Sequence, residues 1–219
     1  MGKNTKISIM MVAAVALVIA GFVALTGPEE SAPSTTTDPT RSSELLVRPD
    51  SHRLSTAPDG EVTFVEFLDF ECEACGAAYP LIEELRTEYQ GRVTFVARYF
   101  PLSSHFNSER AARAVEAAAQ QGRFEQMYQR MFETQTEWAE QQTGKDAVFR
   151  GFAADLGLDM AAYDRAYSDP ATLERIRRDQ ADGEALGVKG TPTFFLDGEK
   201  LEPQSSDDLR NALDAALGS

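Results

Sequence analysis

The chain holds two cysteines, Cys72 and Cys75, separated by Glu73 and Ala74. They fall where an apolar run gives way to a helical pattern. Cysteines at this spacing on a first helical turn can close a strained ring through a disulfide or open it to two thiols. The first would stand at or near the helix N-cap. Free amide N–H groups and the positive end of the helix dipole favour a thiolate there. The second lies one turn in, where burial keeps its pKa higher. One cysteine is then an accessible nucleophile, and the other resolves the mixed disulfide. Two bland readings compete. A structural disulfide closing so short a loop adds little stability, because its entropic effect grows with loop length. A metal site wants about four ligands. Only His52 and His105 could join the cysteines, and neither stands at ligand spacing. Thiol redox chemistry is the preferred reading, with no metal and no cofactor, and neither histidine receives a role.

Three other features agree with it. Glu66 interrupts an apolar strand six residues before Cys72. A buried carboxylate there would have a raised pKa and could carry the proton of Cys75; a strand-end residue facing solvent is the alternative. Gly190-Thr191-Pro192-Thr193 precedes a late strand. Proline is penalised inside a central strand unless it has a special task. A cis Thr191–Pro192 bond would provide one, holding the Thr191 backbone beside the cysteines to pair with an extended substrate chain. Pro80 falls inside the helix begun by Cys72, where it should kink it.

The elements that must place these residues follow from periodicity. Val62 to Leu68 reads as a buried strand, Cys72 to about Tyr89 as a helix, and Val93 to Tyr99 as a second strand. Strand, helix, strand predicts a parallel βαβ unit. A long helical stretch comes next. Asn107 or Ser108 can cap a helix through Val115 and Ala118. Phe124, Met127, Tyr128, Met131 and Phe132 form an apolar stripe on one helix face, and Val148, Phe149, Phe152, Ala153 and Leu156 repeat it. Short helices are expected over Asp159–Tyr167 and Pro170–Leu186. Thr193–Leu196 then reads as a strand, Asp197-Gly198 as a hairpin turn and Lys200-Leu201 as its partner. Ser205 or Ser206 caps a last helix that buries Leu209, Leu213 and Leu217.

Length and charge bound the whole. A chain of 219 residues suits one domain plus a tail or anchor. Acidic residues outnumber basic ones 35 to 21, for a net charge of −14. Such a surface repels phosphate backbones, so no nucleic-acid partner is expected. Residues 1–6 carry Lys3 and Lys6 and read as a cytoplasmic stub. Residues 7–26 carry no charge and are long enough to span a bilayer. The basic start sets the rest of the chain outside the cytoplasm. An uncleaved signal anchor is preferred over a cleaved signal peptide, which would leave the protein secreted. Residues 27–43, rich in Pro, Ser, Thr and Glu, read as a flexible linker, and 44–219 as the folded domain.

The domain resembles the DsbA-like branch of the thioredoxin superfamily, including its membrane-tethered, BdbD-like members. The matching residues are Val65-Glu66-Phe67-Leu68-Asp69-Phe70 leading into Cys72-Glu73-Ala74-Cys75, then Pro80, Tyr99-Phe100-Pro101-Leu102, the Phe124–Trp138 helix and Gly187 to Phe195. Cys75 and Pro192 are 117 positions apart, a gap that a minimal thioredoxin domain cannot hold. The resemblance implies an α/β thioredoxin fold with an inserted helical domain, here about residues 104–186. It implies Cys72 as nucleophile, Cys75 as resolving cysteine, Glu66 as buried acid, and Pro192 as cis-proline with Thr191 before it. The implied activity is an extracytoplasmic thiol–disulfide oxidoreductase that introduces disulfides into exported proteins and is reoxidised by a membrane quinone reductase of DsbB-like or VKOR-like type. One departure matters. Strong oxidants of this branch carry Pro-His between the cysteines, and this chain carries Glu-Ala. That weakens thiolate stabilisation and keeps a reductase or isomerase, such as a ResA-like reductant, as the alternative. A metal-binding module using the two cysteines is a third reading.

Overall fold

The computed structural model describes residues 39–58, 60 and 62–218. The expected stub (1–6), the anchor (7–26) and residues 27–38 of the expected linker lie outside the described residues. Among the described residues, no helix is long and apolar enough to cross a membrane.

A five-stranded sheet has the order β1-β3-β2-β4-β5. Its strands are β1 (His52–Ser55), β2 (Val62–Leu68), β3 (Val93–Tyr99), β4 (Thr193–Leu196) and β5 (Glu199–Leu201). β2 and β3 run parallel, joined by helix α2 (Glu73–Glu88), as the βαβ reading predicts. The other pairings are antiparallel. β2 and β3 are the central strands and are covered on both faces, which is why they read as near-continuous apolar runs. Alternation separates the two faces. Val62, Phe64 and Leu68 face one core with Ile82 and Leu85 of α2, whereas Val65 and Phe67 face a smaller core with Phe100, Val188 and Phe195. Asp197 and Gly198 both have positive φ, 48° and 95°, the geometry of a two-residue hairpin that follows the strand twist.

Six helices lie between β3 and β4: α3 (Ser108–Ala119), α4 (Phe124–Glu133), α5 (Gln135–Trp138), α6 (Asp146–Asp155), α7 (Met160–Ser168) and α8 (Pro170–Ala185). They form the expected insertion. Asp159 caps α7 by accepting from the Ala162 amide, and Asp169 caps α8 by accepting from Ala171. The aromatic stripe of α4 is core, as its spacing predicts, but Val148 of α6 is 39% exposed and leaves the stripe expected of it. Helix α9 (Ser206–Ala216) starts in a capping box between Ser205 and Asp208 and buries Leu209 and Leu213. Leu217 is only partly buried, because it already stands at the helix end. Helix α2 runs from Glu73 to Glu88 with Pro80 inside it.

Two elements escape the sequence reading. β1 is only four residues long and pairs at the sheet edge, too short for a periodic signal. Helix α1 (Pro39–Leu46) begins inside the segment expected to be linker, so that boundary is corrected from residue 44 to residue 39. An eight-residue helix is marginal alone. Here the fully buried Arg98 donates to the carbonyls of Leu45 and Leu46, each at 2.6 Å, and so satisfies the end of the helix. The same guanidinium pairs with Asp179 at 2.9 Å and Asp182 at 2.6 Å on α8. Arg48 adds a second clamp on Asp182. Removing one partner of such a buried set leaves uncompensated charge. Arg98→Met is therefore expected to cost about 3–5 kcal/mol of stability. Urea unfolding of the oxidised protein checks this; a loss below about 1 kcal/mol would contradict it.

Candidate active site

β2 ends at Leu68, and a three-residue turn delivers Cys72 to the N-cap of α2 with extended backbone, φ −69° and ψ 120°. The Cys72 amide donates to the Asp69 carbonyl at 3.1 Å, which fixes the turn. Gln135 of α5 donates from its amide nitrogen to the carbonyls of both Phe70 and Cys72, each at 2.8 Å. Its approach explains Gly76. A Cβ there would stand 1.9 Å from the Gln135 Oε1, so any side chain would expel Gln135. Glu71 is 1% exposed and accepts from the amides of Asn107 (2.5 Å) and Glu140 (3.1 Å). Asn107 does not spend its side chain on capping α3, as was expected. It accepts from the Lys145 amide and donates to the carbonyls of Gln141 and Thr143, tying the α5–α6 connection to the site.

The structure brings the five predicted residues to one end of the sheet or its core. Both cysteines are reduced and buried, Cys72 at 7% and Cys75 at 1% exposure. The Thr191–Pro192 bond is cis. The Thr191 carbonyl accepts from the Cys72 thiol at 3.3 Å, so the proline loop and the dithiol are in contact. Glu66 is 4% exposed, which rules out the solvent-facing alternative.

These surroundings separate the three acids. A hydrogen bond from the Cys75 thiol is the main cause that lowers the Cys72 pKa from 9.0 to about 5. Burial works against it, and the Thr191 side chain and the amides of Cys75 and Ala74 assist. The buried Thr191 hydroxyl otherwise has no hydrogen-bond partner. Cys75 moves well above 9.0, first through burial, then through its bond to Cys72 and the charges of Glu66 and Cys72. Burial lifts the Glu66 carboxyl from 4.5 to about 8, with Glu83 and Cys72 adding to it. At pH 7 a thiol with pKa near 5 is ionised about a hundredfold over its neutral form, while Glu66 stays mostly protonated. The site thus holds a thiol that ionises readily, a second thiol that resists ionisation and a buried, mostly protonated carboxyl.

Sequence reasoning missed Asp69, Glu71, His105 and Gln135. Asp69 is 2% exposed and accepts from the Glu71 and Leu102 amides and from His105, whose Nδ1 lies 2.7 Å away. The glycine directly after Cys75 was the available signal for a close approach by Gln135. Glu73, between the cysteines, lies against Glu140, and the like charge raises the pKa of Glu140. Among the described residues no cluster of His, Cys, Asp and Glu is arranged to hold a metal.

Comparison with known proteins agrees with the class that this geometry defines. A family model described as thioredoxin matches residues 53–215, and the chain belongs to that family. A thioredoxin-like oxidoreductase from Silicibacter pomeroyi is 27% identical, with TM-score 0.67, over 80% of this chain and 98% of that one. BdbD from Bacillus subtilis superposes with TM-score 0.69 at 18% identity, over 77% of this chain and 94% of that one. Wolbachia pipientis alpha-DsbA1 does so with TM-score 0.68 at 19% identity, over 81% and 96%. The fold is the DsbA-like thioredoxin fold with inserted helices. By sequence, the Na(+)/H(+) antiporter NhaA 1 of Mycobacterium sp. (strain KMS) is 35% identical over 175 residues, 77% of this chain. NhaA of Herminiimonas arsenicoxydans is 35% identical over 162 residues, 72% of this chain. The chain spans about a quarter of the length of these relatives, 27% and 24%.

Thiolate absorbance at 240 nm should follow a single Cys72 midpoint near pH 5 in the reduced protein. Cys75→Ala, which removes the main donor, should raise it by about one unit or more, and Cys75→Ser, which keeps an O–H donor, should raise it less. Because the folded pKa lies below the unfolded one, this ionisation stabilises the reduced fold fully above about pH 9. That stabilisation is lost as pH falls through 5. Equal midpoints in both variants would contradict the assigned donor.

Proposed function

We propose that the protein works as an extracytoplasmic oxidase, passing the Cys72–Cys75 disulfide to cysteines of exported proteins. The observation that carries this reading is the convergence of the Cys75 thiol, the Thr191 side chain and the first-turn amides on the sulfur of Cys72. Groups that stabilise the thiolate stabilise the reduced protein, and a stable reduced form makes its disulfide a good electron acceptor. A substrate thiolate attacks the Cys72 sulfur, forming a mixed disulfide and expelling Cys75 as thiolate. Glu66, protonated at neutral pH, supplies the proton that Cys75 takes up. A second substrate thiolate then attacks the substrate sulfur of the mixed disulfide. The substrate leaves oxidised, with Cys72 departing as thiolate. The enzyme gains two electrons. A membrane quinone reductase of DsbB-like or VKOR-like type is the proposed acceptor that restores the disulfide. The uncharged segment 7–26 after Lys3 and Lys6 supports a single-pass membrane anchor with the domain outside the cytoplasm.

A second reading rests on Glu73. Its negative charge, doubled by Glu140 beside it, opposes a thiolate and pulls the site toward a reductase or isomerase. The Cys72 value of about 5 falls between those typical of DsbA, about 3.5, and thioredoxin, about 7. The equilibrium potential separates the two. A value between about −120 and −180 mV supports the oxidase, and one near −270 mV supports the reductase. Insulin reduction and the refolding of a reduced disulfide protein check the activity itself, and unchanged rates in Cys72→Ser would remove the site from the reaction. Glu66→Gln should slow turnover and flatten its pH profile between about 5 and 9, where the native carboxyl titrates near 8. It should also stabilise the fold progressively from about pH 4.5 and fully above about pH 8, because over that range the unfolded carboxyl ionises while the buried one resists it. A normal rate profile in that variant would retire the proton-carrier role.

A further inference from the structure

The linker between the cysteines, Glu73-Ala74, contains no cation, and the turn before it is acidic. Asp69 at the end of β2 has a side chain that is 0% exposed. Its carbonyl accepts from the Cys72 amide, so the residue that carries the carboxylate is tied to the turn that holds the nucleophile. An uncompensated buried carboxylate at that place would oppose a second anion on Cys72. Its Oδ1 accepts from the Glu71 amide at 2.9 Å. Its Oδ2 accepts from the Leu102 amide at 2.9 Å and from His105 Nδ1 at 2.7 Å. His105 comes from the loop between β3 and α3, 33 positions after Cys72 in the chain. The site therefore imports an imidazole from another element.

We propose that His105 is a positioning residue that pairs with the Asp69 carboxylate, offsets its charge and so stabilises the Cys72 thiolate, replacing the cation that the linker lacks. His105 faces Asp69 and Glu71 from the turn after β2, Cys72 from the helix start, and Glu140 from the segment after α5. All are acidic groups. Partial burial disfavours its charge, but Asp69, Cys72 and Glu71 outweigh it and move its pKa above 6.5. The side chain remains 25% exposed, so solvent protons reach it. The inference rests on the thiolate role of Cys72 in the proposed function.

Coupling of this kind is reciprocal. NMR titration of the intact protein should give a higher His105 midpoint in the reduced form, which carries the thiolate, than in the disulfide form. Absorbance titration of reduced His105→Gln should place the Cys72 midpoint about half a unit to one unit above wild type. Equilibration with glutathione should shift the dithiol–disulfide constant toward the disulfide by about three- to tenfold. A purely structural histidine would move neither midpoint. Equal His105 midpoints in the two redox forms, or an unchanged Cys72 midpoint in folded His105→Gln, would overturn the inference and leave the proposed function standing. The NMR comparison uses only the wild type and so holds if the variant fails to fold. A wild-type Cys72 midpoint near 9 would overturn the thiolate reading itself, and this inference with it.

Discussion

Cys72 must carry a negative charge where it is only 7% exposed, so bulk water cannot solvate it fully. The protein has to supply the solvation, and most of the local architecture answers that demand. The N-cap position turns first-turn amides toward the sulfur. The proline loop brings Thr191 against it, and Cys75 donates a hydrogen bond from within the same turn. None of these donors works unless the turn from Asp69 to Cys72 is held still. Asp69 and Gln135 do that, one from beneath the turn and one from the helical insertion.

The same charge organises the acids around it. Cys75 and Glu66 are both buried and both pushed toward their neutral forms, each partly by the other anions of the site. Only one of the three can ionise cheaply at neutral pH, and the hydrogen bonds choose Cys72. On the opposite face of the sheet, Arg98 and Arg48 meet Asp179 and Asp182, and the end of α1 docks on this cluster. It holds charge for structure, whereas the Cys72 site holds charge for chemistry. The helical insertion serves both. Its α8 supplies the two aspartates, while its α5 reaches over to the active-site turn through Gln135.

Local signals carried much of this. The apolar runs of β2 and β3, the stripe of α4, the Asp197-Gly198 hairpin and the C-x-x-C spacing are short-range patterns, and the structure keeps each of them. Glu66 and Pro192 were legible because each breaks a rule, a charge in a buried strand and a proline at a strand start. The residues that escaped follow ordinary rules. His105 and Gln135 look like surface residues of loop and helix, and nothing nearby in sequence marks them. Glu71 carries no sequence signal of burial, yet it is buried, and two backbone amides from distant segments reach it. Helix α1 was missed for a related reason: its stability comes from Arg98, over fifty positions away.

The sequence by itself determined the fold class, the cysteine pair at a helix start, the buried acid and the proline loop, because those depend on residue type and on spacing within one or two elements. Only the tertiary structure decided how the active-site charge is balanced. Asp69 and Glu71, His105, and Gln135 come from three stretches of chain, and their contacts at the active-site turn depend on distances of a few ångströms that no sequence spacing encodes. Electrostatic energy falls with separation in space, not along the chain.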